Sequence, residues 1–499
     1  MSRRRAALVN VAGMATNTVV VSLQALLLVP LYLRTLGARL YGAWLGSGDI
    51  LNLLQLFDLG LTNVVTQRIG AAHARNDHDA IGEYFGSAIL VMTLIGALLA
   101  GATLVVSFFI ARLVHVTGAD ADVLIACFRL ASIATFFFVA NFSVLGLARG
   151  TQETTLQNIG TVAGSLTGLL VSAFLLLHGA GLWSIAIGLC VRTGVALVVS
   201  IVFVLIESRK GSLRAVRISR RALRDLMTTS PATTLSGIGY LLTTQTEAML
   251  VAAFVGPEMV PVLMLTRRAI DIASGVLNSL AYSSYAGFAH LVESPERDRA
   301  REVMSEIDAL WVALALAAAT VFLVVNPSLV PLWAGDKVFG GSTLTLLLAA
   351  QMMITGRSQV MYYLYRAAGA IVPGSMLQFY ESVIRVVVTI ALLKTIGIAG
   401  PAISTLIVTL PFTVLTVRRT HLILDGFASP ASGTAPTVWL VRLALAGMAI
   451  AACYSLTGMK WPALIAASAL VGSAAVLVQL VVDARLTRIR VPLEKLITR

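Results

Sequence analysis

Asp49, Asp58, Arg129, Arg192, Glu247, Arg267, Arg268, Asp271, Arg357, Glu381 and Arg385 each stand inside a stretch of sequence otherwise apolar enough to cross a bilayer. An ionisable group at that depth costs about 2.5–3.5 kcal/mol on insertion scales, so each needs a partner or a wet cavity. Some spacings supply partners. Glu381 and Arg385 are four apart with the acid first, the favoured order on one helix face. Arg267 and Asp271 have the same spacing reversed, and Arg268 is three from Asp271. Internal salt bridges that pin helix packing are one reading of these residues. The other starts from the surplus of arginine over acid: cations facing a cavity midway across a membrane suit an anionic substrate, and arginine holds phosphate through paired hydrogen bonds.

Other chemistry lacks its residues. The three cysteines, Cys127, Cys190 and Cys453, share no pairing spacing and have no histidine near them, so they read as small packing residues. No metal-ligand spacing, nucleophile elbow or phosphate-binding loop occurs, and no cofactor is indicated. The chain does not read as an enzyme.

The elements that must position these charges are membrane spans. Of 499 residues, 58% are hydrophobic and 12% charged, with a mean hydropathy of +0.87. Windows of about twenty residues give about fourteen spans, near 8–34, 40–68, 83–112, 123–148, 154–178, 182–206, 227–255, 258–289, 303–332, 343–368, 373–396, 400–423, 437–457 and 461–483. Long continuous apolar runs exclude the period-two pattern of a transmembrane barrel. The fold class is therefore all-α and polytopic. Pro30, late in the first span, either kinks that helix or ends it. Gly160, Gly164 and Gly168 form a small-residue ridge for close helix packing.

Most of the 37 lysines and arginines fall on one side if the N-terminus is cytoplasmic, so both termini are expected inside. The net charge of +13 is thus a topology signal and calls for no nucleic acid. Leu36-Gly37 and Val255-Gly256 match at an offset of 219 residues, as do Gly181-Leu182-Trp183 and Gly400-Pro401-Ala402. That offset predicts two parallel repeats of six spans around a central cavity. The expected division is an N-lobe at 1–206, a basic interfacial linker at 207–226, a C-lobe at 227–424, two further spans within 437–483, and a basic tail at 484–499. Within the linker, Leu213, Val216, Leu223 and Leu226 favour one face and Arg217, Arg220, Arg221 and Arg224 another, as in a helix lying on a membrane.

Pro30-Leu-Tyr-Leu-Arg-Thr-Leu-Gly37, Tyr41-Gly42-Ala-Trp44, Phe57-Asp58-Leu-Gly60-Leu61 and Gln67-Arg68 resemble the opening helices of the polysaccharide transporter family. These are Wzx-like flippases for lipid-linked oligosaccharides, within the superfamily that also holds multidrug exporters and lipid II flippases. Glu247 ahead of Val255-Gly256 and Glu381 ahead of Gly397-Ile-Ala-Gly400 extend the match, whereas Val262-Leu263 stand where the family commonly has a tyrosine. The resemblance implies two six-helix lobes that alternate between inward and outward openings. It implies transport of an undecaprenyl-diphosphate-linked oligosaccharide across the bacterial inner membrane for O-antigen (lipopolysaccharide) or exopolysaccharide synthesis. Arg267 or Arg268, with Arg192 or Arg357, would contact the diphosphate, and Arg385 would add a cavity cation. Asp49, Asp58, Glu247, Asp271 and Glu381 would balance the cavity or bind a coupling ion. Expected partners are the lipid-linked oligosaccharide and membrane lipids, with a polysaccharide polymerase and chain-length proteins as further candidates. A lipid II flippase, a drug or cation exporter, and an integral-membrane polymerase or ligase are the alternatives.

Overall fold

The computed structural model describes residues 3–54, 61–211, 216–229, 245–293, 297–423 and 436–482, with Leu213, Gly239 and Leu242. Among these residues every regular element is helical. In order they are α1 (Arg3–Leu54), α2 (Leu61–Ala74), α3 (His78–Ser107), α4 (Ile110–Leu113), α5 (Ala119–Ala140), α6 (Phe142–Gly150), α7 (Thr155–Leu177), α8 (Trp183–Arg209) and α9 (Arg220–Thr229). Then follow α10 (Glu247–Phe254), α11 (Met259–Glu293), α12 (Arg297–Ala334), α13 (Gly341–Ala367), α14 (Ile371–Ile396), α15 (Gly400–Ile423), α16 (Pro436–Ser455) and α17 (Trp461–Val482). Nine stretches of the described residues are long and apolar enough to cross a membrane, and one of them, Ile371–Thr420, holds both α14 and α15. The chain is a multi-pass membrane protein.

Chain breaks follow local chemistry. Pro30 lies within α1 without ending it; the break comes at Gly37, where φ is 74° and ψ 165°. Only glycine tolerates that backbone without a Cβ penalty. Gly256, its counterpart at the 219-residue offset, also has positive φ, 139°. α3 starts where Asp77 accepts a hydrogen bond from the Ala80 amide at 3.0 Å, a side-chain cap on an otherwise orphaned donor.

The described residues form two compact units, 1–260 and 261–499. α10 belongs to the first: a Cβ on Gly46 of α1 would lie 2.7 Å from Ala252 Cβ, so the two helices meet at van der Waals distance. α7 and α8 are closest along the Gly160, Gly164 and Gly168 ridge, where a Cβ on Gly164 would fall 2.5 Å from the Arg192 carbonyl oxygen. Asn17 of α1 accepts from Ser165 of α7 at 2.8 Å, and Gln157 of α7 accepts from Ser200 of α8 at 3.1 Å. In the second unit Asn326 of α12 donates to the Thr266 carbonyl of α11 at 3.0 Å and to the Thr345 hydroxyl of α13 at 3.1 Å. Such bonds replace water where backbone and side chains are surrounded by hydrocarbon.

Outward faces carry large apolar side chains. α3 buries Ile81, Phe85 and Met92 on one side and exposes Leu94, Leu98 and Leu104 on the other. Leu170 and Leu177 of α7, Leu440 and Leu443 of α16 and Leu470 of α17 are equally exposed. Apolar surface on this scale is the inverse of a water-soluble exterior and fits lipid.

Candidate functional site: intramembrane charges on the helices

α11 carries three of the expected site residues on successive turns. Arg267 Nε donates to both carboxylate oxygens of Asp271, at 3.1 and 2.9 Å, which realises the four-residue spacing. Arg268, half-buried next to them, makes no ion pair among the described residues. The polar tie from Thr266 to Asn326 and to the Gly340 amide, 2.9 Å, fixes this stretch of α11 against its neighbours. Arginines on such a braced helix hold their positions.

Arg357 of α13 has a partner the sequence did not indicate. Its Nε and an Nη reach the two carboxylate oxygens of Asp308 on α12, at 3.1 and 3.2 Å. The forked geometry staples α12 to α13. Nothing in a single-helix pattern relates residues 49 positions apart.

Glu381 and Arg385 are both buried on one face of α14. The Glu381 carboxylate accepts from Tyr362 of α13 at 2.7 Å and from Thr409 of α15 at 2.6 Å, so one side chain joins three helices. These hydroxyl partners were also missed: a tyrosine and a threonine in apolar helices are ordinary residues until the helices are placed together. Arg192 sits half-buried on α8, its backbone against the glycine ridge of α7, and makes no ion pair among the described residues. Glu247 is buried in the first turn of α10, where the helix dipole favours an anion. Asp49 lies on α1 with its side chain outside the described residues, and Asp58 lies outside them altogether. Arg129 is exposed, donating to Ser107 at 3.0 Å with its guanidinium over the Phe108 ring.

Four of these arginines fall into two kinds. Arg267 and Arg357 are engaged by carboxylates, whereas Arg192 and Arg268 stand on apolar helices with no acid in contact among the described residues. The thiols fit the packing reading: Cys127 and Cys453 are buried, and Cys190 points its thiol at the Leu130 carbonyl, 3.6 Å away. Among the described residues no group of histidine, cysteine and acid could hold a metal.

Comparison with protein families matches residues 7–285, more than half the chain, to one described as polysaccharide biosynthesis protein. The chain belongs to this family. No curated protein matches it by sequence. Among solved structures, the lipid II flippase MurJ in an inward closed conformation is similar, with TM-score 0.62, 12% identity, and coverage of 95% of this chain and 97% of that one. An inward-facing multidrug resistance MATE family transporter of the MOP superfamily gives TM-score 0.60 and 14% identity over 80% of this chain and 95% of that one. A MOP superfamily transporter from Pyrococcus furiosus gives TM-score 0.55 and 16% identity over 83% and 93%. At these identities the likeness establishes the fold, that of the MOP superfamily transporters. The MurJ match covers more of this chain than residues 1–435 could supply, so it reaches into the C-terminal pair α16 and α17. This member of the polysaccharide biosynthesis protein family therefore shares the fold of those transporters.

Proposed function

We propose that the protein is a flippase that carries an undecaprenyl-diphosphate-linked oligosaccharide from the cytoplasmic to the periplasmic leaflet of the bacterial inner membrane, by alternating access, for O-antigen or exopolysaccharide synthesis. The observation that carries this reading is the pair of half-buried arginines without acid partners among the described residues, Arg192 and Arg268, on helices of a transporter fold. A half-buried guanidinium with no carboxylate in contact is a ready phosphate ligand, and Arg192 and Arg268 each supply one. Cation export is disfavoured by the same charges. The family's description supports a polysaccharide pathway, and the MurJ likeness supports a lipid-linked cargo.

The membrane potential supplies a driving force in this scheme. With the cytoplasm negative, outward movement of one negative charge gains about 2.3 kcal/mol per 100 mV, so a diphosphate bearing about two charges gains about 4–5 kcal/mol. The polyprenyl tail stays in the bilayer, and only the polar head must cross.

The test is transport by full-length protein in vesicles loaded with a short undecaprenyl-diphosphate oligosaccharide. Arg192→Ala combined with Arg268→Ala is expected to abolish translocation at unchanged membrane insertion. Normal translocation by that variant would remove both arginines from the mechanism. Transport of lipid II in preference to the oligosaccharide lipid would assign the cargo to the peptidoglycan precursor.

A further inference from the structure

In the first unit, arginines of α2 and α9 come together at one pocket. The segment after α8 turns back along α3: the Arg217 amide donates to the Gly82 carbonyl at 3.4 Å and the Ser219 amide to the Ser87 hydroxyl at 3.1 Å. α9 follows, with Ala222 and Leu226 buried, and Leu226 sits in the apolar cluster of Ile69, Phe85 and Met92. Asp225 anchors it. Arg68 of α2 reaches both Asp225 oxygens at 2.7 Å, and the Tyr84 hydroxyl of α3 donates to the same carboxylate at 3.1 Å.

This arrangement leaves a pocket of about 670 Å³ lined by Arg68, Tyr84, Arg220, Arg221, Arg224 and Asp225. Four guanidiniums face one carboxylate, and that carboxylate is already bridged by Arg68. Arg220 and Arg221 make no ion pair among the described residues. The ligand that complements such a site is a phosphate-bearing anion.

Two further observations select a lipid over a soluble phosphate. Val216, Ile218 and Met227 flank the arginines and are 52%, 60% and 56% exposed, so that more than half of each apolar residue is left uncovered by protein. α3 is 30 residues long, about 45 Å of helix against a hydrocarbon core of about 30 Å, and His78, Asp79 and Glu83 stand in its first turns, so that end with Tyr84 is the one suited to headgroup level. A helix with buried leucine, a basic rim and exposed aliphatic residues at that level rests in the interface.

We infer that the pocket between α2, α3 and α9 binds the headgroup phosphate of an anionic glycerophospholipid, with Val216, Ile218 and Met227 seated among the acyl chains. The site is separate from the arginines assigned to transport, and its test does not depend on flipping. Full-length protein in mixed micelles is titrated with fluorescent phosphatidylglycerol and, in parallel, phosphatidylcholine. The wild type is expected to prefer phosphatidylglycerol. Arg220→Ala with Arg221→Ala is expected to weaken that binding about twenty-five-fold, the loss for two basic residues at a lipid surface, while Arg220→Lys with Arg221→Lys stays within about fivefold. Millimolar inorganic phosphate leaves the lipid bound.

Equal binding of the two lipids by wild type overturns the proposal, and that comparison stands even if the alanine variant fails to fold. Undiminished phosphatidylglycerol binding by a folded alanine variant does so too. Displacement by inorganic phosphate would make the pocket a soluble-anion site and reject the lipid assignment.

Discussion

Removing the Thr409 hydroxyl is the sharpest probe of how the second unit is held together. Thr409→Val is nearly isosteric and deletes one of the two hydroxyl donors that the buried Glu381 carboxylate has among the described residues, a bond of 2.6 Å. The oxygen left behind lies inside the helix cluster, since Glu381 is 6% exposed. Leaving a buried acceptor unpaired costs about 1–3 kcal/mol, with the upper half appropriate for a charged one, so the expected loss is about 2 kcal/mol. In a unit of this size each kcal/mol moves Tm by about 2–4 °C, which gives a fall of about 4–8 °C. Intrinsic-fluorescence unfolding of purified protein in detergent reads it. Tyr362→Phe should behave alike, because its hydroxyl reaches the other oxygen at 2.7 Å. The control is the Glu381→Ala background, where Thr409→Val should cost almost nothing. A fall of the same size in that background, or none in the wild type, would show that the threonine does not act through Glu381.

Gly164→Leu is expected to force α7 from α8, because even a Cβ there would lie 2.5 Å from the Arg192 carbonyl oxygen. Overpacking costs about 1–3 kcal/mol or more, and a protease-resistance assay on membranes should show a destabilised first unit; unchanged resistance would contradict the close approach. Arg357→Ala and Asp308→Ala should couple weakly in a double-mutant cycle, by no more than about 1 kcal/mol, because Arg357 is 44% exposed and, as a cavity group in the proposed mechanism, meets water that screens the pair. A coupling above about 2 kcal/mol would mean that the staple is shielded from water. Arg217→Cys, at an exposed position, in a cysteine-free background should be labelled from the cytoplasmic side, and labelling from outside would invert the topology.

Nine stretches among the described residues have the length and composition that hydrocarbon imposes, while the expected span at 227–255 lies largely outside those residues; the Gly37 break was visible as a turn after the first span. Pro30 was less informative, since the helix runs through it and breaks where positive φ is needed. Charges were legible by position, partners only within a helix. The four-residue spacing gives Arg267–Asp271 directly. It gives no access to Arg357–Asp308 or to the Tyr362 and Thr409 hydroxyls on Glu381, because periodicity fixes a face of one helix and leaves the register between helices open. The arginine pocket on α9 was half visible: the alternation of leucine and arginine pointed to an amphipathic helix, of which the described residues show only the part from Arg220, and Arg68 and Tyr84 come from elsewhere in the chain.

The most direct test of flipping is the leaflet distribution of undecaprenyl-diphosphate oligosaccharide in cells depleted of this protein. The account predicts accumulation of the completed lipid-linked unit on the cytoplasmic leaflet, with assembly of the unit intact. Normal appearance on the periplasmic leaflet, accompanied by unlinked or short polymer outside, would contradict it and place the protein at polymerisation.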